Sequence, residues 1–156
     1  MMPVTSRLLG CLTALALTLP LAACSGAGPD GSGDLDGCLS GDRGTIALGV
    51  TNSSNDPIAI SNIDLGESQG VAVTDRFLAV DDAARETAVI VSDRGRDAFG
   101  GVDLDRAPLE PGASAYLGIE VARSGPGEAR VASLVVTTDG AQQGVPVTLV
   151  LGEACD

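Results

Sequence analysis

From residue 45 onward the apolar positions recur every second residue. Ile46, Leu48 and Val50 alternate with Thr, Ala and Gly over 45–51. Ala115, Leu117, Ile119 and Val121 do the same over 114–122, and Val145, Val147, Leu149 and Leu151 over 144–151. A period of two sends one set of side chains to one face of a strand. Residues 57–65 carry Ile58 and Ile60, then change phase to Ile63 and Leu65. That shift predicts a bulge or bend near Ser61-Asn62. Shorter β-prone pieces lie at 70–74, 77–80 and 87–92, and 129–137 is rich in Val. Turn residues separate the pieces at 52–57, 110–112, 124–127 and 139–140. Only 81–86 reads as a helical turn. Seven or eight short strands at this spacing predict an all-β fold, a β-sandwich.

The first 24 residues follow a different rule. Arg7 precedes an apolar run over 8–19 that contains six Leu, at 8, 9, 12, 15, 17 and 19. At about a dozen residues it falls short of the ~20 that a spanning helix needs. Ala22 and Ala23 then precede Cys24. A charged start, a short apolar run and small residues are the parts of an export signal. The stretch Leu21-Ala22-Ala23-Cys24 resembles the lipobox of bacterial lipoprotein signal peptides. That resemblance implies that residues 1–23 are cleaved and that the Cys24 thiol carries a diacylglycerol as the mature N-terminus. Two acyl chains anchor stably where one binds only marginally. The implied address is the extracytoplasmic side of a cell membrane, with the lipid bilayer as partner through acylated Cys24.

Residues 25–37, SGAGPDGSGDLDG, read as a flexible tether. As a coil it reaches about 20 Å. Asp30, Ser32 and Asp34 have the spacing of a calcium loop, but Leu35 stands where Gly is needed and Gly41 where a bidentate Glu is needed. The organisation expected is therefore 1–23 signal, 24–37 lipidated Cys and linker, and 38–156 a single sandwich domain.

Charge removes further classes. The chain of 156 residues has a net charge of −12, with 21 acidic and 9 basic residues. All nine basic residues are Arg and none forms a basic tract, so nucleic acid is excluded as a partner. The absence of His rules out histidine nucleophile pairs and histidine metal sites. The absence of Lys rules out Schiff-base chemistry and a Ser-Lys dyad. No catalytic residue, metal ligand or cofactor is assigned, and the chain is read as a non-enzyme. Asn52-Ser53-Ser54 matches a glycosylation sequon that carries little meaning in a bacterial lipoprotein.

Cys11 lies in the signal, which leaves Cys38 and Cys155 bracketing the domain. An exported protein sits where disulfides form, and two thiols have one pairing. In Ig-like sandwiches the first and last strands can lie side by side, so a Cys38–Cys155 disulfide is expected. With only two Phe, one Tyr and no Trp, the core profits from such a staple.

The segments VTNSSNDPIAISNIDL, LEPGASAYLGIEV, GEARVASLVVTT and VPVTLVLG, taken in order, resemble Ig-like modules of the abnormal-spindle/Hydin type. That resemblance implies an Ig-like sandwich over 44–152 that binds or scaffolds. Asp81, Asp82, Asp93, Asp97, Asp103 and Asp105 crowd the central connection with Arg85, Arg94, Arg96 and Arg106. Interleaved charges read as an exposed loop. The expected function is a membrane-anchored envelope lipoprotein whose non-catalytic domain contacts an unidentified protein partner or supports envelope structure, this connection being the contact surface. The alternative is a surface lipoprotein that binds a ligand or calcium on those carboxylates.

Overall fold

The computed structural model describes residues 35–86, 88–92, 95–106, 108–152 and 155. The signal 1–23, Cys24 and tether residues 25–34 lie outside the described residues, as do Asp93 and Arg94 and the side chains of Arg85 and Arg106. The strands are β1 (Leu35–Leu39), β2 (Arg43–Thr51), β3 (Ile60–Leu65), β4 (Ser68–Gln69), β5 (Val71–Val80), β6 (Ala88–Val91), β7 (Ser114–Arg123), β8 (Ala129–Thr138) and β9 (Ala141–Leu151). A 3-10 turn over Asp82–Glu86 precedes β6, and the short helix α1 (Gly95–Phe99) and a second 3-10 turn (Leu104–Arg106) follow it.

These strands form two sheets. Sheet I has the order β1-β9-β8-β3, with β4 also on β8, and sheet II the order β5-β7-β2-β6. The alternating residues face each other between them. Ile46, Leu48, Leu78, Leu117 and Ile119 of sheet II pack with Ile63, Val131, Leu134, Leu149 and Leu151 of sheet I in one buried cluster. Each such side chain contributes roughly 1.5–3 kcal/mol when fully buried. The fold is an all-β sandwich, as the alternation predicts. The phase change in β3 is a register shift between Ile60 and Asn62, where the sequence pattern puts it. Asp139 and Gly140 have φ of 47° and 81° and join the paired Thr138 and Ala141. Positive φ at both positions is what a two-residue hairpin turn needs, and Asp-Gly supplies it cheaply.

Three features differ from the sequence reading. The pieces at 70–74 and 77–80 are one strand, β5, continuous across a bulge between Val73 and Asp75. The described residues hold nine strands rather than seven or eight, because β1 and two-residue β4 carry no alternation to betray them. Strand β1 also begins three residues before Cys38, inside the expected linker. It runs parallel to β9 from Leu35↔Val147 to Leu39↔Leu151. Leu35 and Leu39 pack against the core, and a Cβ at Gly37 would lie 2.4 Å from the Ile90 side chain. Composition reads this glycine as flexibility; the structure uses it for close packing.

Cys38 in β1 is joined to Cys155 by a disulfide across a sequence separation of 117, as expected. A second tie sits at the other end of the sandwich. Asn52 is fully buried. Its Nδ2 donates to the carbonyls of Asp56 and Leu109, each at 2.8 Å, and its Oδ1 accepts from Ser54 N at 2.9 Å and Ser54 Oγ at 2.7 Å. The sequon asparagine is thus a buried strut between the 52–57 turn and the 109–113 segment.

Asn52→Ala strands those partners inside the protein and should cost about 2–3 kcal/mol. A lower urea midpoint at unchanged slope is the expected readout. Replacing Cys38 and Cys155 by Ser should cost about 2–5 kcal/mol, read the same way against the oxidised parent.

Candidate functional site

The central connection does not hang free in solvent. It lies across the outer face of sheet II as a partial third layer. That face is cut from small residues. Gly118 faces Phe77 so closely that an added Cβ would fall 2.0 Å from the ring. Ala47, Ala79 and Tyr116 complete the floor, and Ala84 of the connection is fully buried with them. Phe99 of α1 stacks on Phe77 at 6.1 Å between centroids and tilts against Tyr116 at 4.8 Å. The chain's three aromatic residues are all in this one cluster. Such pairs add about 0.5–1.5 kcal/mol beyond the area they bury. The expected exposed loop is therefore corrected: β6 pairs with β2, and the apolar positions 84, 89 and 99 pull the charged segment down.

One arginine fixes the layer. Arg96 Nε and Nη2 grip the two oxygens of Asp75 at 2.5 and 2.7 Å, and Nη1 reaches Asp103 at 2.7 Å. Nη2 also donates to the Arg76 carbonyl at 2.6 Å, and the backbone N–H of Arg96 donates to Glu120 Oε1 at 2.9 Å. A forked guanidinium on a carboxylate is the strong form of this contact. The Arg96 hydrogen bond holds the Asp75 carboxyl below the usual carboxylate range, against the opposing push of burial. In return Asp75, then Asp103, raise the pKa of Arg96. The bulge at Thr74 aims Asp75 at this partner. Next to it, Arg76 donates from Nε to the Ile63 carbonyl at 2.6 Å and pairs with Asp64 at 3.0 Å. That contact bridges sheet II to sheet I.

The residues singled out from sequence separate accordingly. Asp103 is drawn into the Arg96 network. Asp81 closes the 3-10 turn by accepting from Ala83 N at 2.8 Å. Asp82, Asp97 and Asp105 are exposed. Among the described residues no group of three or more acidic or Cys side chains is placed to hold a metal ion. Asp75 and Glu120 are not singled out by the sequence: Asp75 falls in the gap between the pieces at 70–74 and 77–80, and Glu120 inside a strand pattern. An acid breaking the run ALGIEVA is the one signal that marks Glu120. No protein-family model matches the chain, and no curated protein matches it either.

Arg96→Met keeps the aliphatic stem and removes the fork. It should cost about 2 kcal/mol. Because the folded pKa of Asp75 is depressed, its contribution is present above the unfolded value of about 3.9 and is lost as pH falls through the folded value. Asp75→Asn should therefore flatten the acid limb of a stability-against-pH curve measured between about pH 5 and 2.

Proposed function

We propose that this chain is a lipid-anchored protein of the bacterial cell envelope whose mature part is a non-catalytic Ig-like module for protein interaction. The observation that carries the reading is the Cys38–Cys155 disulfide. Disulfides persist in exported compartments and are rare in the cytosol. That independently favours the address implied by Leu21-Ala22-Ala23-Cys24. The Ig-like assignment is supported by the first strand running parallel to the last at one sheet edge. The role in binding is supported by the connection over sheet II, whose charged side chains are held on a firm apolar footing. A firm surface loses less conformational entropy when a partner docks. Asp82, Asp97, Asp105 and Val102 of the connection are exposed to such a partner.

Deleting the connection would remove β6, Ala84 and Phe99, so the anchor makes the cleaner test. The protein expressed in a bacterial host should take up labelled fatty acid and fractionate with membranes. Cys24→Ala should abolish both. Retention of the variant in the membrane fraction, or absence of label from the parent, would overturn the anchored reading.

A further inference from the structure

A cavity of about 350 Å³ opens beside α1, at the end of sheet II nearest Arg43. Its volume is at the small end of the range for ligand pockets. The residues that matter in its wall are Arg43, Thr45, Asp75, Arg96, Asp97 and Glu120. They come from four elements. Thr45, Glu120 and Asp75 form one row across β2, β7 and β5, since Thr45 pairs with Glu120 and Glu120 with Asp75. Helix α1 supplies the other side.

The wall is rigid. A Cβ at Gly95 would lie 2.2 Å from Thr45, so α1 is seated as closely as backbone allows. Arg96 is largely committed: four of its five side-chain N–H groups already donate to Asp75, Asp103 or a carbonyl. Asp75 is neutralised by it. The charges left for a visitor are different ones. The side chains of Arg43 and Asp97 make no ion pair or hydrogen bond among the described residues. Glu120 commits one oxygen to the Arg96 N–H. The cavity thus offers one uncommitted cation and two acids that have acceptor oxygens to spare, beside a helix seated hard against β2.

We infer that this cavity binds a small zwitterion, a free amino acid or the free end of a short peptide. Arg43 takes its carboxylate, and Asp97 and Glu120 take its ammonium group. A guanidinium suits a carboxylate because it donates two parallel hydrogen bonds. A purely anionic ligand meets the two acids, and a purely cationic one meets Arg43, so each half of the ligand is selected by a different wall. This site goes beyond the anchored-module reading and stands whether or not Cys24 is acylated.

The test is isothermal titration of the full-length protein with glycylalanine, its N-acetyl form, its C-terminal amide and free alanine. Glycylalanine or alanine should bind, and blocking either end of the dipeptide should weaken it by about tenfold or more. Whichever of the two binds more tightly identifies the source. Arg43→Ala should erase the preference for the free carboxylate, and Asp97→Asn with Glu120→Gln the preference for the free amine, at an unchanged melting temperature. Equal binding of the free and blocked dipeptides, no heat with any of the four at millimolar concentration, or an Arg43→Ala protein that keeps the carboxylate preference would overturn the assignment.

Discussion

The grip of Arg96 on Asp75 and Asp103 is the polar contact that fixes the connection on the sandwich, beside the β6 pairing and the Phe99 packing. Without it the sandwich is a pair of sheets with a charged excursion. With it the excursion is a wall. A guanidinium about a quarter exposed, facing carboxylates about a third and a half exposed, is a partly screened arrangement. Its strength lies less in raw Coulomb attraction than in geometry. The fork fits Asp75, and the leftover donors meet a carbonyl and a second carboxylate, so few polar groups are left wanting.

The apolar side of the same layer explains an oddity of composition. A core built from Val, Leu, Ile and Ala leaves the three aromatic rings outside it, clustered on the outer face of sheet II. Rings need depth, and small floor residues such as Gly118 and Ala47 provide it. Strand β2 is consequently buried on both faces from Gly44 to Val50. The covering also settles an edge. Leu78 and Val102 exchange a pair of backbone hydrogen bonds of 2.8 Å, so the open side of β5 is partly capped by the connection itself. Capping of this kind keeps an edge strand from pairing with strangers.

Where the period of two is strong, the sequence is transparent: β2, β7 and β9 fall where the alternation puts them, and the phase slip in β3 marks its bulge. The pairing of Cys38 with Cys155 is the one expected if residues 1–23 are a signal and Cys24 is acylated. What stayed hidden depends on register. Glu120 and Asp75 are ordinary strand residues until β5 is laid against β7, and Arg96 is one Arg among several until α1 folds over them. Gly37 looks like linker because a glycine that yields to a neighbour and a glycine that merely bends are the same letter. Long-range placement, not residue type, carries the site.

The disulfide has a mechanical meaning as well as a thermodynamic one. It joins β1 to the last described residue, so the first strand and the far end of the domain are neighbours in space, 5.3 Å apart at their Cα atoms. A pull applied between a segment ahead of Leu35 and one beyond Cys155 would load the Leu35–Gly37 pairing with β9 first, and past Cys38 it would pass through two sulfur atoms. The residues between them, including the Arg96 wall and its cavity, form a closed loop that carries no tension. Everything between the two cysteines would then be shielded from such a pull, and only the three β1 residues ahead of Cys38 would feel it.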